Sequence, residues 1–252
     1  MTEFSAYQID WDVKIGVINI AATVHLERDW HIVLPKSVSF HTARVSIGEN
    51  GDGVSEKDIV DMLDSGQPED AARQLATSDV DVIAFGCTAG SFLKGIGWDK
   101  ALAGKLEDAS GGIPAVTTST GLLKALKALN CKTITVASPY LEEVNIQEKA
   151  FLEGNGIKVL NIKGRYCVDD HEIAAVTSKE FIDLHLEMDS KEPDCAFITC
   201  TNSTSIEAIP YLEDKLGKPV LSSNQVTLWA ALKKIGYKKP LKGWGILLEK
   251  YL

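Results

Sequence analysis

Apolar positions along this chain fall into short dense runs separated by longer stretches of helical period. "VKIGVINIAA" (13–22), "DVDVIAFGC" (79–87), "IPAVTTS" (113–119), "KTITVASP" (132–139), "IKVLNIKG" (157–164), "DCAFITC" (194–200) and "KPVLSS" (218–223) are β-branched and nearly continuous in hydrophobicity. Runs of this kind predict strands buried on both faces. The intervening segments 55–78, 91–110, 121–130, 140–156, 178–190, 205–217 and 224–236 carry helical periodicity. The first follows a Gly-rich turn, "GENGDG", with Ser55 placed as its N-cap, and glycines interrupt the second. Strands alternating with helices imply an α/β fold with a mainly parallel sheet covered by helices on both faces.

The pattern also repeats. Asp81 stands six residues before Cys87, and Asp194 six before Cys200. After each cysteine come a helical stretch, a Pro-led strand rich in hydroxyls, and an Ala/Leu/Lys helix. Two copies of one unit predict two pseudo-symmetric lobes, divided as 1–118 (completed by 225–252) and 119–224. In such sheets ligands sit beyond the carboxyl ends of the strands, where both cysteines fall. The expected site is the cleft between the lobes.

Composition narrows the class. With 252 residues, 45% hydrophobic and 24% charged, the chain can bury a substantial core. A net charge of −9 without a basic stripe argues against nucleic acid as a partner. No apolar stretch reaches the ~20 residues that span a bilayer, so no membrane partner is expected. "MTEFSAYQIDWDVK" lacks the features of a signal peptide. Five cysteines without a CxxC do not form a disulfide framework, which implies reduced thiols and a cytoplasmic location. Self-association as a homo-oligomer is left open.

A cysteine is more often a small buried hydrophobe than a catalyst. Cys87 and Cys200 stand apart because each ends a strand, each is followed by a threonine (Thr88, Thr201), and their settings match. Cys131, Cys167 and Cys195 lack that setting and are assigned to structure. "FGCTAGS", with Ser91 at its end, has the small residues that let backbone N–H groups approach an anion, and reads equally as a tight turn. "CTNST" offers the Thr201 hydroxyl and the Asn202 amide, or simply a capped helix start. Tyr140, after Pro139 at another strand end, places either a phenol in the cleft or a half-buried aromatic. His25, His41 and Arg44 show no metal-ligand spacing, and there is no HExxH, GxSxG, GxGxxG or Walker motif. No metal and no cofactor are expected.

Two facing thiols suit two chemistries. A thiolate can take a proton from carbon while a thiol returns one to the other face, which is racemisation. Alternatively a thiolate adds to an activated double bond, the single bond rotates and the thiolate leaves, which is cis–trans isomerisation. A helix N-terminus is expected to favour the thiolate, and either route needs donors aimed at an enolate-like species.

The chain resembles the aspartate/glutamate racemase superfamily, in its branch of maleate cis–trans isomerases and arylmalonate decarboxylases. The resemblance is carried by "FHTAR", "GCTAGS", "PAVTTSTGLLKALKALNCKTITVASPYLEEVN" and "TCTNSTSIEAIPYLEDKLGKPVLSS", and extends over nearly the full length. It implies two flavodoxin-like lobes, active cysteines at Cys87 and Cys200, a carboxylate-binding tyrosine at Tyr140, and anion-pocket donors at Thr88 and Thr201–Asn202. Decarboxylases of this branch keep only the second cysteine, whereas both are present here. Amino-acid racemases carry CNT-type motifs that this chain lacks. The first-loop asparagine of maleate isomerases falls on Thr23, which leaves maleate or another small carboxylic acid as substrate. The resulting expectation is a cofactor-independent isomerase of a small unsaturated dicarboxylic acid. A two-cysteine racemase, a malonate-type decarboxylase and a non-catalytic small-acid binding protein are its rivals.

Overall fold

A computed structural model describes residues 11–49, 51, 53–188 and 192–252. The first ten residues, positions 50 and 52 of the Gly-rich turn, and the end of the helix expected over 178–190 lie outside the described residues.

Strands β1 (Val13–Ile20), β2 (Val38–Val45), β3 (Val82–Gly86) and β4 (Ala115–Thr117) form one sheet in the order β2-β1-β3-β4. Strands β5 (Thr133–Ser138), β6 (Lys158–Gly164), β7 (Cys195–Ile198) and β8 (Val220–Ser222) repeat that arrangement as β6-β5-β7-β8. Every pairing is parallel. Central strands β3 and β7 are buried at every position, as their unbroken apolar runs predict. Cys87 and Cys200 follow these two equivalent central strands.

The repeated aspartates have a shared physical role. Asp81 Oδ2 accepts the backbone N–H of Lys14 at 2.7 Å, and Asp194 Oδ2 accepts those of Lys132 and Thr133 at 2.8 and 3.0 Å. Each carboxylate ties the start of its lobe's first strand to the central strand. That fixes the register on which both cysteines depend.

Helix α1 (His25–Val33) and edge strand β2 are elements that the apolar pattern does not mark. Strand β2 is buried only at Val38, Ala43 and Val45, so it lacks the continuous run of the interior strands. The single helix expected over 55–78 is two, α2 (Glu56–Asp64) and α3 (Gln67–Ala76). Gly66, at φ +80°, breaks the helix and Pro68 starts the next one. Ser55 caps α2 as expected, accepting the Asp58 N–H at 3.2 Å. Glycines likewise split the next segment into α4 (Thr88–Phe92) and α5 (Trp98–Ala109).

The lobes meet along α6 (Thr118–Ala128) and α11 (Ser223–Lys234), the helices that follow β4 and β8. They approach so closely that a Cβ on Gly121 would lie 2.6 Å from the Val226 carbonyl oxygen. The hydroxyls of Thr118 and Thr227 meet across this seam at 2.8 Å. Helix α11 also packs against β3 and β4 of the other sheet. Among the described residues, no helix is long and apolar enough to cross a membrane.

Candidate active site

Cys87 is the N-cap of α4, and its Sγ accepts the Gly90 N–H at 3.3 Å. A Cβ on Gly90 would sit 3.1 Å from that sulfur, and one on Gly86 would sit 2.6 Å from Leu26 Cδ1. The two glycines flanking the first cysteine are therefore there for close approach. The first-turn N–H groups of Thr88 and Ala89 have no intrahelical carbonyl to bond.

Cys200 stands on a sharper feature. Its φ is +78°, left-handed backbone that a non-glycine residue adopts at about 1–3 kcal/mol. The turn lets its Sγ accept the Asn202 N–H at 3.3 Å. The next residue, Thr201, donates its hydroxyl to the carbonyl of Gly86 at 3.1 Å, directly before Cys87. One side-chain hydrogen bond thus ties the residue after Cys200 to the residue before Cys87 across the lobe boundary.

Both thiols line one cavity of about 30 Å³, together with Thr23, Thr88, Thr201, Tyr140 and Asp170. Tyr140 stands beside the Cys200 thiol and favours its ionised form. The remaining wall is aliphatic, formed by Ile20, Ile47, Val54, Ile59, Ala89 and Ile173 with Gly53. No lysine, arginine or histidine is among these lining residues. An anion here would be held by N–H and O–H donors alone.

Two expected site residues have other work. The Ser91 hydroxyl lies outside the cavity lining, donating to Thr88 O at 2.8 Å and bonding Ser119 Oγ at 2.7 Å. The Asn202 side chain is fully occupied as a brace. Its Oδ1 accepts the Val24 N–H at 2.9 Å, and its Nδ2 donates to the carbonyl of Asp170 at 3.0 Å and to its Oδ1 at 3.2 Å. Asn202 therefore ties α1 and α8 (Asp170–Ala175) to the Cys200 turn. Thr88 does line the cavity, but its hydroxyl donates to Ser223 at 2.9 Å. Arg44 braces the loop bearing Thr23, donating to the carbonyls of Ile20, Ala21 and Thr23 at 3.2, 2.8 and 3.0 Å.

A family model described as Arylmalonate decarboxylase (Amdase) matches residues 34–248. The chain belongs to this family. It is 28% identical over 183 residues to an arylmalonate decarboxylase of Bordetella bronchiseptica, covering 71% of this chain and 76% of that one. It is 23% identical over 219 residues to a maleate isomerase of Geobacillus stearothermophilus, covering 85% of each. In fold it superposes with a TM-score of 0.88, at 20% identity, on a cysteine variant of the Nocardia farcinica maleate cis–trans isomerase that carries a covalently bound succinylcysteine intermediate. That match covers 94% of this chain and 98% of the other.

The electrostatics of the cavity correct one expectation. The N-terminal turn of α4 was expected to favour a Cys87 thiolate, and the Gly90 N–H does act in that direction. Burial outweighs it and pushes the thiol up to about 12, with Asp170 adding to the rise. Cys200 is pushed higher still, again mainly by burial, although Tyr140 and the Asn202 N–H oppose the shift. Tyr140 itself is raised by burial and by the neighbouring thiols. In this closed arrangement both thiols hold their protons.

Two carboxyl groups at the site were missed. Asp170 stands in "CVDDHE", where Asp169 is the helix cap and its neighbour looks like one more first-turn acid. Glu148 lies on α7 (Glu142–Gly154) and accepts the Thr199 hydroxyl at 2.6 Å, one residue before Cys200. Its other oxygen is buried without a partner, and burial lifts the acid to about 8. A signal was present: Val144, Glu148, Phe151 and Leu152 form one buried stripe, and a glutamate on an apolar stripe is out of place.

Proposed function

We propose that this protein is a cofactor-independent cis–trans isomerase of a small unsaturated dicarboxylic acid, of the maleate type. The observation that carries this reading is the pair of buried thiols, Cys87 and Cys200, on equivalent strand ends and lining one cavity. A decarboxylase of this family's kind needs one cysteine, whereas addition and proton delivery from opposite sides need two.

Cys87 is assigned as nucleophile and Cys200 as acid. As the S–C bond forms, the Cys87 proton passes to a carboxylate of the bound acid. The electron pair of the double bond moves to the α-carbon and its carboxylate, giving an enediolate. First-turn N–H groups at Thr88 and Ala89 and the Thr201 segment are the donors offered to that charge. Cys200 delivers its proton to the α-carbon, leaving a succinyl thioether on Cys87, and the Tyr140 hydroxyl bonds the Cys200 thiolate that remains. The former double bond, now single, rotates. Cys200 then takes back a proton, the double bond re-forms in the trans arrangement, the C–S bond breaks, and Cys87 recovers its proton. Two free thiols require a reducing compartment, and we place the enzyme in the cytoplasm.

A cavity of about 30 Å³ holds one or two waters and no dicarboxylic acid. Substrate entry therefore requires the lobes or loops around it to part, and closure over the substrate removes water from the enediolate.

Proton NMR of the protein with maleate, with a chiral 2-substituted acid in deuterated water, and with a substituted malonate tests the assignment. Growth of the fumarate signal at the expense of maleate is the expected result. Deuterium entering the chiral acid with loss of optical purity, or carbon dioxide released from the malonate, with maleate unchanged, would overturn it.

A further inference from the structure

A far larger cavity than the one between the cysteines lies elsewhere. A groove of about 700 Å³, the size of small-molecule sites, is walled by α5, α6 and the residues entering β4, β5 and β6. Ala115 begins β4, Lys132 precedes β5 and Ile157 precedes β6, so the groove opens at the amino ends of the strands. Both candidate catalytic cysteines follow carboxyl ends. The six residues of β5 alone put about 20 Å between the two ends, so the groove is no extension of the acid-binding cavity.

Its chemistry is unlike the rest of the surface. The chain carries a net charge of −9, yet five lysines, Lys100, Lys124, Lys127, Lys132 and Lys234, line the groove against two carboxylates. Glu107 is already neutralised, accepting Lys234 Nζ at 3.0 Å and the Ala115 N–H at 2.8 Å. The other four lysines have no ion-pair partner among the described residues. The second carboxylate, Asp99, is buried, and its Oδ2 has no hydrogen-bond partner. That oxygen is closed off from solvent, so it makes no contact with a molecule in the groove. Between these groups the floor is apolar, formed by Ala103, Leu123 and Ile157. At Gly104 a Cβ would meet nothing within 4 Å, so the groove is open there.

We infer that this groove binds a nucleoside phosphate, with its phosphates on the lysines and its base on the aliphatic floor. Charge complementarity supplies the phosphate contacts, the apolar floor suits a base, and the volume matches a nucleotide rather than a bare anion. Both lobes contribute to the walls, through α5 and β4 on one side and β5 and β6 on the other.

Isothermal titration of the intact protein with ATP, adenosine and inorganic pyrophosphate at low ionic strength tests this. ATP should bind at least tenfold more tightly than either adenosine or pyrophosphate. The double variant Lys124→Glu/Lys127→Glu, both exposed positions on α6, should weaken ATP at least tenfold. Gly104→Leu fills the groove without meeting another atom at its Cβ and favours the helix, so the protein should fold and melt as the parent does while losing ATP. Absence of ATP binding at millimolar concentration, or undiminished binding in both variants, would overturn the site. Pyrophosphate binding as tightly as ATP would overturn the nucleoside assignment.

Discussion

Replacing Glu148 by glutamine should make the protein more stable at neutral pH and remove a pH dependence. Glu148 is buried beneath the Cys200 turn, with one oxygen bonded to Thr199 at 2.6 Å and the other unpartnered. Burial raises the acid from the usual 4.5 to about 8, so the folded chain binds a proton here that the unfolded chain has released over most of that range. A raised folded value means that the contribution to stability is fully present below 4.5 and is lost as pH rises toward 8. At about 1.4 kcal/mol per pH unit, roughly 3 kcal/mol is already lost at pH 7 and up to roughly 5 kcal/mol above pH 8. Glutamine keeps an acceptor for Thr199 and cannot ionise. Its buried amide introduces an offset of about 1–3 kcal/mol, but that offset does not vary with pH. Urea unfolding of both proteins at pH 5, 6, 7 and 8 reads the difference. The gap in unfolding free energy should widen in favour of Glu148→Gln by roughly 1.4 kcal/mol per pH unit. Parallel stability curves across this interval would refute the assignment of Glu148 as a protonated buried acid.

Tyr140→Phe removes the hydroxyl that favours the ionised Cys200 sulfur, and a hydrogen bond to a charged group is worth about 1.5–3 kcal/mol. The variant should lose roughly 10- to 100-fold in kcat/KM while its melting temperature stays near the parent's, and full activity would contradict the assigned role. Gly121→Ala forces a Cβ to within 2.6 Å of the Val226 carbonyl oxygen at the α6–α11 seam. It should cost about 1–3 kcal/mol in urea unfolding, whereas an unchanged midpoint would mean that the seam is looser than described.

The repeated architecture was legible because both lobes write it in the same way. Continuous apolar runs at β3 and β7 end on a cysteine, and an aspartate six residues earlier fixes the strand start in each. Residues 55–78 carry the period of one helix in the sequence because the apolar spacing resumes beyond Gly66 and Pro68. Edge strand β2 escaped because one side of it is half exposed. At the site, local pattern marked Cys87, Cys200 and Tyr140, which do share a cavity. It could not show that the Asn202 amide is occupied by Val24 and Asp170, because those partners lie far along the chain. Nor could local pattern weigh burial against a helix N-terminus at Cys87. That balance depends on how tightly the lobes close, which is a property of the assembled fold.

Intact-protein and peptide mass spectrometry of the Cys200→Ser variant, quenched in acid after mixing with maleate, tests the central claim most directly. With Cys200 gone, the enediolate formed on Cys87 takes its carbon proton from the acid quench, and the peptide containing Cys87 should gain the mass of one maleic acid. No such adduct should form in Cys87→Ser, and neither variant should make fumarate. An adduct confined to Cys200, or turnover that survives loss of either cysteine, would contradict it.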